Sequence, residues 1–246
     1  MTYPESCAAT HSRRSGLSKN EIIAPQVEET ADGSRTLYLP DLDEHYHSVY
    51  GARTESMHVF VRNGLLKYCE EERKRQITIL EVGFGTGLNA LLTILAQPLD
   101  CKICYHTYEI HPLEQELVGQ LFEKNLPQDE WKLMQKLHRA TWNKEYEVTD
   151  QFRIYKHDED ILQADLPLSD VLYMDAFAPD KAPLLWSETQ LQRLANATTN
   201  NGRLSTYCAK GGVRRRLEGV GFRVERTPGP PGGKREILTC KKRPTT

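Results

Sequence analysis

The 246-residue chain is 39% hydrophobic and 27% charged, the balance of a soluble globular protein with room for one large domain, or for a core and an appendage. No apolar stretch reaches the roughly 18 residues of a membrane helix, and the opening MTYPESCAATHSRRSG lacks the apolar centre of a secretory signal, so a cytoplasmic protein is expected. A net charge of −2 argues against a long basic nucleic-acid groove and leaves only local patches, at 214–216, 234–235 and 241–243, to meet phosphates.

In chain order, residues 1–30 are polar with few large apolar side chains and are expected to be poorly ordered. Residues 31–75 form an extension. It has a short strand at 35–39 (RTLYL) and then an aromatic stretch whose second half, from Thr54, suits a helix with Met57, Val61, Leu65 and Tyr68 on one side. From residue 76 to the end the pattern alternates. A strand at 77–82 is followed at once by a helix carrying Leu88, Leu91, Leu92 and Leu95 at helical spacing.

A second strand is expected at 103–109, and His111-Pro112 then opens a helix with Leu113, Leu117 and Leu121 on one stripe. Another helix fits 131–140. Further strands are expected at 152–157 and 170–174, a helix capped by Ser187 with Gln190 three residues on, a strand at 202–207, a helix at 212–218, and final strands at 222–227 and 235–240. Alternation of this kind gives an α/β fold with a mostly parallel sheet of seven strands covered by helices. Only PGPPGGK separates the last two strands, too short for a helical crossover, so that pair should be antiparallel. Cys101 and Cys104 make a lone C-x-x-C without a second pair; at odd spacing on a strand they face opposite ways and read as structural.

The stretch 79–89, ILEVGFGTGLN, sits where an α/β sheet binds its ligands, between the first parallel strand and its helix. Glycines at 83, 85 and 87 allow close approach of a ligand to the main chain. The dinucleotide fingerprint wants its third glycine at 88, which is Leu, and no phosphate-loop lysine follows. Glu81 would repel a pyrophosphate and suit an ammonium. Glu109 ends the second strand, where an acid can bind ribose hydroxyls, and Asp158 ends the third, within reach of an adenine amino group. Together these describe an S-adenosylmethionine pocket.

The run ExGxGxGLN resembles the first motif of class I S-adenosylmethionine-dependent methyltransferases, whose fold is Rossmann-like. YHSVYGARTESMHVFVRNGL, LEVGFGTGLNALL, YEIHP, YMDAFAPDKAPLLW, TYCAKGGVRRRLEGVGF and GGKREIL are similar, in this order, to the methyltransferase portion of the MnmC family, from about Tyr46 to Cys240. That family completes 5-methylaminomethyl(-2-thio)uridine at the wobble position of certain tRNAs. The resemblance implies that Glu81, Gly83, Phe84, Gly85, Thr86, Gly87 and Asn89 surround the methionine and ribose part of the cofactor. Glu109 would hold the ribose, Asp158 the adenine, and Asp175 would stand beside the departing methyl group.

It further implies that residues 31–75 close over the cofactor, with Tyr46, Ser48 and Glu55 in contact, and that 76–246 is the methyltransferase domain. Lys181, Arg215, Lys234 and Arg235 are candidates for the phosphates of the tRNA anticodon stem-loop. The family's two-domain members carry a flavin-dependent oxidase for which this sequence shows no counterpart, so a separate enzyme is expected to supply the aminomethyl precursor. Rival expectations are a polyamine-type aminopropyl transferase, a small-molecule methyltransferase, or an RNA-binding protein with a dead pocket.

Overall fold

A computed structural model describes residues 24–244. Strands β1 (Gln26–Glu29), β2 (Arg35–Leu39) and β3 (Glu44–His45) form a small antiparallel sheet. The expectation of poor order over 1–30 lies largely outside the described residues. Where it can be compared it fails, because Gln26 pairs with Tyr38 and Glu29 with Arg35 in a regular ladder. None of the four residues of this strand is buried, so it carries no apolar signal, and its order comes from pairing that composition does not reveal.

A continuous helical stretch follows in three parts: α1 (Ala52–Ser56), a π-helical run over Met57–Leu66, and α2 (Lys67–Glu72). The expected helix is present, but its wider middle turns change the stripe. Val61 joins one apolar cluster while Leu65 and Tyr68 join another. At Gly64 an added Cβ would lie 2.9 Å from Ser205 Oγ and 3.0 Å from the Tyr173 ring, so the backbone itself packs on the large sheet.

That sheet has eight strands rather than seven, in the order β10-β11-β9-β8-β4-β5-β7-β6. Its members are β4 (Gln76–Val82), β5 (Lys102–Tyr108), β6 (Glu145–Thr149), β7 (Phe152–His157), β8 (Ser169–Met174), β9 (Thr198–Thr206), β10 (Phe222–Pro228) and β11 (Glu236–Lys242). β8, β4, β5, β7 and β9 are joined by parallel pairings, while β11 runs antiparallel to both β9 and β10, as the short connection requires. The additional strand, β6, is a mostly exposed edge antiparallel to β7 and carries only one buried residue, Val148, so no alternation marks it.

One face of the sheet buries Ile77, Ile79, Tyr105 and Tyr173 beneath the π-helical run, α3 (Leu88–Ala96), α4 (Gln115–Phe122) and α5 (Gln128–Arg139). The other buries Leu80, Val82, Leu172 and Met174 beneath Trp186, α6 (Glu188–Asn196) and α7 (Gly211–Gly219). Each such side chain contributes about 1.5–3 kcal/mol by leaving water. Ser187 caps α6 by accepting the Gln190 N–H at 3.2 Å, but Gln190 does not return the bond: its Oε1 accepts from Arg193 instead, at 2.6 Å. α4 begins at Gln115, not at Pro112. Residues 109–114 stay outside the helix, bending at 110–111, and form one wall of the cavity described next.

Candidate active site

A cavity of about 750 Å³ opens at the carboxyl ends of β4, β5 and β8. Its floor is the turn from β4 into α3. Gly83, Gly85 and Gly87 all have positive φ. At Gly85, φ is +51° and a Cβ would lie 3.1 Å from the Tyr46 ring; at Gly87, φ is +76° and a Cβ would lie 3.0 Å from both His138 Nε2 and Phe84 Cζ. Glycine is therefore required at both positions by conformation and by space. Phe84 turns inward and is buried, meeting His138 at a tilt at 5.1 Å and Trp142 edge-on at 6.1 Å. The His138 ring nitrogen Nε2 donates to the Thr86 carbonyl at 2.9 Å, so the turn is held from below. Burial keeps that imidazole neutral, its pKa pushed down to about 4.

Three acids stand around this floor in different ways. Glu109, just past β5, accepts the Gly85 N–H on Oε2 at 3.0 Å and the His111 N–H on Oε1 at 2.8 Å, and it lines the cavity. Asp175, just past β8, also lines the cavity and accepts from Asn89 Nδ2 at 2.7 Å. Glu81 does not reach the cavity wall. It is fully buried one layer below, accepting from Asn89 Nδ2 at 3.0 Å and from the Thr107 hydroxyl at 2.8 Å. Burial, only partly opposed by those donors, pushes the Glu81 carboxyl up to about 8. Burial, with the nearby charges of Glu81 and Glu55, pushes Asp175 well above the carboxylate range.

The small sheet and the turn after it cover the mouth. Tyr46 meets Phe177 edge-on at 5.4 Å, and His47 Nε2 lies 2.8 Å from the Thr86 hydroxyl. Nothing in the sequence singles out His47. Neighbouring Tyr46 and Ser48 drew attention as motif positions, yet His47 is the residue that ties cover to floor. Ser48 and Glu55 lie outside the wall: the Ser48 N–H donates to Glu55 Oε2 at 2.8 Å, and Glu55 Oε1 pairs with Lys234 at 3.2 Å. Asp158 is also off the wall. It is exposed, with its N–H on Asn143 Oδ1 at 3.0 Å, and the next two residues, Glu159 and Asp160, reach the cavity instead.

Of the basic candidates, Lys234 is engaged with Glu55 and sits 3.8 Å over the Tyr207 ring, and Lys181 donates to the Leu42 carbonyl at 2.6 Å. Arg215 and Arg235 are exposed. Trp186, fully buried, donates to the Phe177 carbonyl at 2.7 Å and so fixes the turn after Asp175. Cys101 is buried and Cys104 half-buried, and no cluster of His, Cys, Asp or Glu among the described residues could hold a metal.

Among the described residues, six carboxylates line the cavity (Asp41, Glu109, Glu114, Glu159, Asp160 and Asp175) and no lysine or arginine does. Such a wall suits a cationic ligand. Asn89 adds a specific fit. Both its amide hydrogens are spent on acids, and its buried Oδ1 is left with no partner on a residue that lines the cavity. An ammonium donor would satisfy it. Positive-φ glycines, an acid past β5 that lines the cavity and a free acceptor suited to an ammonium fit S-adenosylmethionine, and with the parallel sheet they define a Rossmann-like methyltransferase.

Comparison with known proteins agrees. Residues 120–243 match the model of an S-adenosyl-L-methionine-dependent methyltransferase family, and the chain belongs to that family. It is 34% identical over 222 residues, 84% of its length, to the tRNA 5-methylaminomethyl-2-thiouridine biosynthesis bifunctional protein MnmC of Cupriavidus necator, covering 33% of that protein. It is 31% identical over 243 residues, 88% of its length, to the protein of the same name from Pseudoalteromonas atlantica, again covering 33%. The chain thus spans about a third of the length of the curated relatives it matches. The crystal structure of MNMC2 from Aquifex aeolicus superposes with a TM-score of 0.74 at 24% identity, covering 92% of this chain and 72% of that one, and shares the fold.

Proposed function

We propose that the chain methylates the primary amine of 5-aminomethyl(-2-thio)uridine at the wobble position of tRNA, in the cytoplasm, giving the 5-methylaminomethyl nucleoside. The observation that carries this is Asp175, an acid facing a cavity that no lysine or arginine lines among the described residues, beside a floor suited to a sulfonium nucleoside. The names borne by the relatives support tRNA as the substrate.

Bound S-adenosylmethionine supplies an electrophilic methyl group. The main chain of residues 83–87 would pack along it, Glu109 would accept from its ribose hydroxyls, Asn89 Oδ1 from its ammonium, and Asp160 would lie toward the adenine. Residues 31–75 would act as the cover and 76–246 as the methyltransferase domain. Tyr46 and His47 close the mouth and exclude water.

The acceptor amine needs its lone pair free. Asp175 orients it and takes the proton as nitrogen is alkylated, directly or through one water. Alignment of the two reactants supplies most of the acceleration, up to about 7–11 kcal/mol in well-oriented systems. Arg215 and Arg235 are the exposed cations assigned to anticodon-stem phosphates, with Lys181 and Lys234 available if RNA displaces their present partners. A separate activity supplies the aminomethyl group.

The deciding experiment is nucleoside mass spectrometry on hypomodified tRNA incubated with the protein and methyl-labelled S-adenosylmethionine. The expected result is one labelled methyl on the aminomethyl-uridine. A chain that binds the cofactor yet leaves that nucleoside unlabelled would refute the reading.

A further inference from the structure

We propose that Glu81, Asn89 and Asp175 act as one proton-holding unit: in the free protein the two carboxyls keep a single acidic proton between them, and the entry of a cationic nucleoside expels it. Glu81 is then a positioning residue for Asp175, working through Asn89 without touching any ligand. The inference rests on Asp175 being the group that faces the acceptor amine.

The geometry begins with one nitrogen. Asn89 Nδ2 lies 3.0 Å from Glu81 Oε1 and 2.7 Å from Asp175 Oδ2, so two carboxyls hang on one amide group. Two anions this close, with Glu81 fully buried, oppose each other's ionisation and titrate as a pair. The surroundings relieve them only in part. Toward Glu81, β5 contributes the Tyr105 ring, the donating Thr107 hydroxyl and, at its end, Glu109; β8 contributes Tyr173. Toward Asp175 stand Glu55 of α1, Tyr207 after β9, and Lys234 from the loop before β11. Lys234 is the one cation in that group, and it is paired with Glu55 at 3.2 Å. Both carboxyls are accordingly pushed above their ordinary range.

The arrangement also fixes the amide. With both hydrogens held by acids, Asn89 can offer only its oxygen, and that oxygen has no partner. A sulfonium and an ammonium entering beside it would complete the site and add the positive charge the two acids lack. The Asp175 O–H bond then breaks, its proton passes to the buffer, and the carboxylate left behind can accept the proton of the amine. The cofactor thereby arms the base. An acceptor arriving first would meet a neutral acid.

The test uses the full chain without RNA. Calorimetric titration with S-adenosylmethionine at about pH 6.5, where the ligand's ammonium is already protonated, is run in two buffers of different ionisation enthalpy. The buffer dependence of the heat counts the protons released. The expected result is about one proton per cofactor bound, at least twofold less with S-adenosylhomocysteine, which keeps the ammonium but has an uncharged sulfur, and at least twofold less in Glu81→Gln. A heat independent of buffer in the wild-type chain, or equal release with both ligands, would overturn the proposal. The ligand comparison needs only the native protein, so a variant that fails to fold does not blunt the test. Release of the proton by a chain that methylates no tRNA would sink the wobble-uridine reading and leave this one standing.

Discussion

The floor and the cover of the cavity are built by different physics. The floor hangs from a parallel ladder, with Glu81 between Thr107 of β5 and Tyr173 of β8 in register, and each strand is locked by an apolar layer on both faces. The cover is anchored at Leu37, buried in the apolar cluster of the sheet, and beyond that anchor it is tied to the cavity by polar contacts between residues distant in sequence: His47 to Thr86, Lys181 to the Leu42 carbonyl, and Lys234 to Glu55. Packing of the first kind changes all at once, whereas contacts of the second kind can be lost one at a time. The proposed chemistry therefore sits on the part packed as one layer, and the proposed cover on the part whose polar ties can open singly.

The largest effect should come from the floor. Asp175→Ala removes the proposed proton acceptor, and turnover is expected to fall by about 10²–10⁴-fold, the usual worth of a general base. Single-turnover transfer to aminomethyl-uridine in tRNA reads this, with cofactor affinity measured alongside. A variant that turns over normally would remove Asp175 from the mechanism.

Next comes the place where floor and cover touch. Gly85→Ala puts a methyl group 3.1 Å from the Tyr46 ring at a φ of +51°. A left-handed alanine costs about 1–2 kcal/mol, so cofactor affinity should drop about tenfold or more. If the clash with the cover is the main cost, Tyr46→Ala in the same chain restores much of the loss. If backbone strain is the main cost, it restores none. Calorimetric affinities for the two singles and the double separate these.

What could be read from the sequence follows the same division. Continuous apolar strands and the three glycines write the floor directly into the chain, and Glu109 and Asp175 follow as strand-end acids. The cover was legible only as a block of aromatic and polar residues. Its working contact, His47 to Thr86, spans 39 positions and leaves no periodic trace. β1 and β6 escaped for a related reason: both are polar edges ordered by pairing, not by burial of an apolar face. Lys181 and Lys234 stand in the sequence as candidates for RNA phosphates, because a sequence does not show that Leu42 and Glu55 will be their neighbours.

A pH-dependent effect on stability distinguishes the supports of the floor. His138 is buried neutral, with a folded-state pKa near 4 against an unfolded value near 6.5. A group lowered in this way adds stability that is fully present above the unfolded value and is lost as pH falls from about 6.5 toward 4. The loss is on the order of 3 kcal/mol for that one ring. Melting temperature followed from pH 7 to pH 4.5 should fall less steeply in His138→Gln than in the wild-type chain. Parallel curves would mean that the ring does not report on the floor.

The smallest expected effect sharpens where the cavity ends. The sequence pointed to Asp158 because it terminates β7, yet the chain turns there: Asp158 spends its N–H on Asn143 and faces solvent, while Asp160 lines the wall and accepts the Leu162 N–H at 2.9 Å. That hydrogen bond fixes the turn, so Asp160 can present its second oxygen to a ligand amino group without a further loss of rotamer freedom. Asp160→Asn should weaken cofactor binding several-fold, by about the 1 kcal/mol of one net hydrogen bond. Asp158→Asn should leave it unchanged. The reverse order in paired titrations would return the adenine to the strand end and move this wall of the cavity by two residues.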